Sequence, residues 1–217
     1  MAPDTVERIA ALKDPALLQQ QCYVDGKWCD ADSAATHAVN NPATGRPVGT
    51  VPVFLEAETR RAIEAADRAW PAWRAKLPKE RAAIMRKWND LILAHVDDLA
   101  LILTSEQGKP LAEAKGEITL GAAYVEWFAE EATRVYGDTI PTVGKDRRLA
   151  VIKQPIGVCA AITPWNFPNS MITRKVSPAL AAGCTVIIKP AQATPFSALA
   201  LAELAHRAGF PPGVLNV

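Results

Sequence analysis

Apolar and polar positions along this chain follow two different periods, and the period changes near residue 137. From Glu56 to Val135 the spacing is helical. Ala62, Ala65, Ala66 and Ala69 share one face, and Pro71 and Pro78 punctuate the run beyond them. Glu80 to His95 carries Ile84, Trp88, Leu91 and Ile92 at helical intervals, and Asp97 to Gln107 continues with Leu99, Ile102 and Leu103. Gly108-Lys109-Pro110 stops that run, and a further helix is expected from Ala112 to Tyr136, ending at Gly137. Before Glu56 the pattern is loop-rich to about Thr50. Tyr23 to Trp28 reads as a hairpin turning at Asp25-Gly26, and Asn40 to Gly45 is a turn cluster.

Beyond Gly137 the runs shorten and become strand-like. Thr139 to Pro141 and Arg148 to Lys153 are extended. Gly157 to Ile162 is a strand, Pro168 to Ala182 a helix closed by Gly183, and Thr185 to Ile188 a four-residue apolar strand. Thr194, followed by Pro195, reads as the cap of a helix running through Ala198, Leu201 and Leu204 to Gly209, and Val214 to Val217 opens another strand. Strand–helix–strand–helix–strand predicts an α/β fold with a parallel, Rossmann-like βαβαβ half-domain.

Charge sharpens this division. The chain has 24 Lys and Arg against 23 Asp and Glu, a net charge of +1. That balance gives no case for nucleic acid or an acidic membrane surface. Only six charged residues fall after Ala150: Lys153, Arg174, Lys175, Lys189, Glu203 and Arg207. The last third therefore reads as the interior of a layered structure, in which each cation needs a partner or a task. Met1 to Arg8 carries two acids and no apolar core, so no signal peptide is expected. The longest charge-free stretch, Gln154 to Thr173, holds three prolines and two asparagines and does not read as membrane-spanning. Cys22, Cys29, Cys159 and Cys184 show no metal-ligand spacing and read as small buried hydrophobes, which predicts no metal and a reducing cytoplasm.

Neither a G-x-G-x-x-G nor a Walker loop is present. The two strands run instead into Ile162-Thr163-Pro164-Trp165-Asn166-Phe167-Pro168 and Lys189-Pro190-Ala191-Gln192. In a doubly wound sheet the carboxyl ends of neighbouring strands face the ligand crevice. An amide held between prolines at such an edge is a fixed hydrogen-bond donor. On pattern alone, Asn166 is equally a cap for the helix beginning at Pro168, and Lys189 equally a snorkelling lysine.

These runs, with Ala182-Gly183-Cys184-Thr185, Thr194-Pro195, Glu106 to Leu111 and Pro211 to Val217, resemble the aldehyde dehydrogenase superfamily from about Tyr23 onward. Glu126 to Glu131, Tyr136 to Pro141 and Met171 to Lys175 are most similar to the succinate-semialdehyde branch, with glutarate-semialdehyde dehydrogenases nearly the same. The resemblance implies an enzyme that forms a thiohemiacetal on a cysteine and uses NADP or NAD. It implies that Asn166 stabilises the oxyanion and that Lys175 relays protons. It places Ile162, Thr163, Pro164, Trp165, Asn166, Lys189, Pro190, Ala191 and Gln192 at the cofactor. Arg174 would bind the distal carboxylate of a semialdehyde, beside Phe167 and Met171. It divides the chain into 1–135, a helical region contributing to the cofactor domain, 136–156, a β-hairpin arm, and 157–217, the first part of the cofactor domain. The arm pairs with another subunit in the family, so a homo-oligomer, dimer or tetramer, is expected.

Two departures change the expectation. Gln192 stands where relatives preferring NAD carry glutamate, so the 2′-phosphate of NADP is not repelled. The family's nucleophilic cysteine, general-base glutamate and second cofactor glycines match nothing up to Val217. The expectation is an N-terminal portion that is inactive alone and has open strand edges at Val214–Val217 and at the hairpin. The alternative is a non-catalytic binding or interaction module.

Overall fold

The structure is a computed structural model describing residues 11–217. The signal-peptide reading of Met1 to Arg8 lies outside the described residues. Two antiparallel hairpins open the fold, β1 (Cys22–Val24) with β2 (Lys27–Cys29) and β3 (Thr36–Asn40) with β4 (Pro47–Pro52). The first turns at Asp25-Gly26, both at positive φ, as the sequence suggests. The stretch expected to be loop-rich thus holds four strands, and the Asn40–Gly45 turn cluster is the bend of the second hairpin.

Four helices come next: α1 (Glu56–Ala75), α2 (Pro78–Ala94), α3 (Val96–Gln107) and α4 (Leu111–Glu131). Pro71 does not punctuate; α1 runs through it to Ala75. Its ring removes the bond to the Asp67 carbonyl, and Asp67 is exposed, so that carbonyl is lost to the helix on its solvent side. Pro78 occupies the first turn of α2, where its missing N–H costs nothing. Gly108 closes α3 at φ 86, and a Cβ there would sit 2.8 Å from Pro42 Cγ, so only glycine fits. Helix α4 ends at Glu131, a turn short of the expected limit, in a 3-10 turn over Ala132–Arg134.

The remainder alternates as predicted. An exposed hairpin, β5 (Asp138–Ile140) with β6 (Leu149–Val151), precedes β7 (Val158–Ile162), α5 (Ser170–Ala182), β8 (Thr185–Lys189), α6 (Phe196–Ala208) and β9 (Leu215–Asn216). Strands β7, β8 and β9 form one parallel sheet in that order, with Ile162 beside Lys189. The last strand is not left open at Val217: Tyr23 N–H donates to the Val217 carbonyl at 3.0 Å, and Val217 N–H to the Tyr23 carbonyl at 2.8 Å. The first hairpin therefore borders the sheet.

One apolar core joins the layers. Trp73, Trp88, Met85 and Ile118 from the helices meet Leu180, Phe196, Leu201 and Leu204 beneath the sheet. The two buried tryptophans also donate: Trp73 Nε1 to the Leu180 carbonyl at 3.2 Å and Trp88 Nε1 to the Leu201 carbonyl at 3.0 Å. They satisfy the polar edge of an indole that would otherwise be costly to bury.

Candidate active site

The carboxyl ends of β7 and β8 lie side by side, and Thr163 N–H donates to the Lys189 carbonyl at 3.2 Å. This brings the Ile162–Phe167 loop next to Lys189–Gln192. Ile162, Pro164, Trp165, Asn166 and Phe167 are exposed, while Thr163 is buried. Below the second loop is a cavity of about 410 Å³, lined by Lys189, Pro190, Ala191 and Gln192 with Val24, His37, Val51 and Val217. The Ile162–Phe167 residues do not line it. They form a separate ledge along its sheet edge.

Helix α5 leads away from that ledge. Met171, Arg174 and Lys175 are three and four residues apart and share one face. Arg174 and Lys175 are exposed and Met171 is half-buried, while Ile172, Val176 and Leu180 point into the core. Arg174 forms no ion pair with an acid among the described residues.

Asn166 does not cap α5. That task falls to Glu117, whose Oε1 accepts the N–H of Asn169 at 3.0 Å and of Ser170 at 3.2 Å. The helix begins at Ser170, two residues later than Pro168, because the carboxylate meets it there. Glu117 Oε2 in turn lies 2.6 Å from Lys109 Nζ, with the two side chains 1% and 10% exposed. The same ammonium donates to the Asn166 carbonyl at 3.1 Å and sits 3.8 Å from the centre of the Phe167 ring. The carbonyl of Asn166 is therefore tethered, and its side-chain amide is left facing solvent.

The second helix repeats the device. Thr194 was expected to cap it, but its buried hydroxyl has no partner among the described residues. Glu106 Oε2 accepts Phe196 N–H at 2.7 Å, and Oε1 accepts Ser197 N–H at 2.8 Å and the Ser197 hydroxyl at 2.5 Å. Full burial pushes the Glu106 carboxyl up to about 8, against the pull of its three donors. Neither glutamate, nor Lys109, was singled out from the sequence as part of the site. Each glutamate reaches a helix start 52 to 91 positions away, and local spacing carries no trace of that.

Of the four cysteines, Cys22 lines the cavity beside Val24, and Cys29, Cys159 and Cys184 lie outside it. Cys22 and Cys29 face each other on the first hairpin, and Cys159 and Cys184 are in or beside the sheet. Burial pushes the Cys22 thiol up to about 12 and Cys159 up to about 11, and raises Cys29 as well. Such thiols are poor nucleophiles at neutral pH. Among the described residues no cluster of His, Cys, Asp and Glu could hold a metal, and no helix is long and apolar enough to cross a membrane.

This chain, with its three-stranded parallel sheet and the two loops at its strand ends, belongs to the aldehyde dehydrogenase family: residues 28–217 match the aldehyde dehydrogenase family model. Among curated relatives, the glutarate-semialdehyde dehydrogenase of Pseudomonas putida is 66% identical over 206 residues, 95% of this chain and 43% of that protein. The NADP-dependent succinate-semialdehyde dehydrogenase of Escherichia coli is 62% identical over the same shares. A solved succinate-semialdehyde dehydrogenase from Burkholderia pseudomallei superposes with a TM-score of 0.94 at 64% identity, covering 95% of this chain and 43% of that one. The chain spans about two fifths of the length of these relatives.

Proposed function

We propose that this chain is the N-terminal part of an NAD(P)-dependent dehydrogenase oxidising succinate semialdehyde to succinate, with glutarate semialdehyde as the alternative substrate. The observation that carries this reading is Arg174. It is an exposed guanidinium without an ion partner among the described residues, one turn along α5 from the Asn166 ledge. A guanidinium fork takes a carboxylate bidentately, which suits the distal end of a semialdehyde whose carbonyl lies at Asn166. Phe167 and Met171 supply apolar wall for the methylenes between.

Each residue then takes a role. The Asn166 amide donates to the negative charge that develops on the aldehyde oxygen, an effect on the order of 3 kcal/mol. Lys175, on the same helix face, moves protons. Lys189 and Gln192, at the rim of the largely apolar cavity under β8, bind the adenosine ribose of the dinucleotide. A cavity of about 410 Å³ between a sheet edge and a hairpin fits that group. When bound, the dinucleotide accepts the hydride. The neutral Gln192 admits NADP as well as NAD.

Residues 1–135 would act as the helical region of the cofactor domain, 136–156 as an arm pairing with another subunit, and 157–217 as the first part of the cofactor domain. The exposed Ile140, Leu149 and Val151 on the β5–β6 hairpin support a dimer or tetramer formed through it. A cytoplasmic location fits the free thiols.

A second reading, a binding or interaction module without catalysis, has its own support. Its four thiols are all buried or half-buried, and none is on the Ile162–Phe167 loop or on helix α5, which supports a chain without a nucleophile at Asn166. A single assay series separates the two. The dehydrogenase carrying these residues should reduce NADP with succinate semialdehyde, and the 217-residue chain alone should not. In the active protein Arg174→Ala should raise KM for succinate semialdehyde roughly 30- to 150-fold, and far less for an uncharged aldehyde. Equal losses for both substrates would make Arg174 structural and remove the main support for the substrate.

A further inference from the structure

We propose that Lys109 and Glu117 form a buried clamp that positions Asn166 for oxyanion stabilisation, a role that rests on Asn166 being the oxyanion donor. Lys109 is presented rigidly. It stands between Gly108, which closes α3 in the left-handed conformation, and Pro110, which precedes α4. An ammonium has three hydrogens to place. Here one meets the Glu117 carboxylate at 2.6 Å, one the Asn166 carbonyl at 3.1 Å, and the charge faces the Phe167 ring at 3.8 Å. Holding the Asn166 carbonyl fixes the peptide plane between Asn166 and Phe167, and with it the direction in which the Asn166 side chain leaves the backbone. The ring contact fixes the neighbouring residue by a cation–π attraction.

Glu117 ties this tether to the helix. Its second oxygen holds the first amides of α5, so one carboxylate joins the ledge to the element that carries Met171, Arg174 and Lys175. The spacing between Asn166 and Arg174 is then set by a single buried ion pair. Lys109 acts through the two residues it touches, Asn166 and Phe167.

The clamp predicts a split that a general structural role does not. In the dehydrogenase carrying this chain, Lys109→Met should lower kcat by roughly 10- to 100-fold, because an oxyanion donor out of place by about an ångström loses most of its effect. KM for NADP should stay within about twofold. Lys109→Arg, which keeps the charge and the donors, should recover much of the loss. Asn166→Ala is measured alongside. If Asn166→Ala lowers kcat and Lys109→Met does not, the clamp is wrong and the reading of Asn166 stands. If Asn166→Ala leaves kcat unchanged, the oxyanion reading falls and takes the clamp's purpose with it. Should Lys109→Met not fold, Phe167→Leu, which removes the ring contact to the ammonium, is read by amide hydrogen exchange in the dehydrogenase carrying this chain. Exchange at Asn169 and Ser170, whose N–H groups Glu117 holds, should quicken severalfold, and unchanged exchange would overturn the proposal.

Discussion

Helices α5 and α6 both start behind a strand of the same parallel sheet, and both rest their first amides on a glutamate from the helical layer. They differ in what stands behind the carboxylate. Glu117 has the Lys109 ammonium at 2.6 Å. Glu106 has no cation partner among the described residues, which give it the amides of Phe196 and Ser197 and the Ser197 hydroxyl, and burial pushes it up to about 8. The paired glutamate is a charge that cannot be removed without exposing its partner to the same buried setting. The unpaired one is a charge the interior already resists. The helix next to the Asn166 ledge thus rests on an ion-paired carboxylate, and the helix behind the Lys189–Gln192 loop on an unpaired one that burial pushes up.

Substitution at the two carboxylates should break the apparent symmetry. Glu117→Gln leaves the Lys109 ammonium buried beside a neutral amide, and should cost about 3–5 kcal/mol in urea unfolding. Glu106→Gln should instead become favourable as pH rises. The folded-state value of about 8 lies above the ordinary 4.5, so the folded protein holds an extra proton between them. Stability from this group is present in full below about 4.5 and is lost as pH climbs through 8. The slope is at most about 1.4 kcal/mol per pH unit, so Glu106→Gln should gain roughly 2 kcal/mol on the parent between pH 6 and 8. Parallel curves for the two proteins across that range would show that Glu106 stays ionised.

Smaller changes sharpen the same contrast. Helix α4 approaches α5 at Gly121, where an added Cβ would lie 2.4 Å from Asn169 Oδ1 and 3.5 Å from Ser170 Cα. Gly121→Ala should cost about 1–2 kcal/mol and disturb the amides that Glu117 holds, seen as altered Asn169 and Ser170 resonances. At α6 the corresponding support is the Trp88 indole on the Leu201 carbonyl. Trp88→Phe should cost about 1 kcal/mol, leaving the Glu106 end untouched.

The same elements separate what is legible in the sequence from what is not. The alternation after Gly157 yields every element of the sheet, because apolar runs and glycine stops are local signals. The turn at Asp25-Gly26 is visible for the same reason. The chemistry-bearing loops are legible as motifs, and the ledge and the cavity rim lie at the predicted strand ends. The caps are not. Thr194 looks like a cap because it is the right residue one step before a proline, yet a carboxylate 90 positions upstream takes the amide. The stretch to Thr50 looks like loop because its strands are short, three to six residues each. Pro71 looks like a stop because the rule for proline assumes that the lost bond has no substitute. In each case the deciding contact is with solvent or with a distant element.

The reciprocal pairing of Tyr23 with Val217 has a bearing on how the chain is made. A strand near the front of the sequence finds its neighbour only after almost all of the described chain has been synthesised. At ribosomal speeds of about 5–20 residues per second, that is a delay of roughly 10–40 s. Throughout it, Tyr23 and the hairpin that carries it have a finished turn and no sheet to join. The edge of that hairpin is therefore paired last, by a segment almost two hundred residues further on.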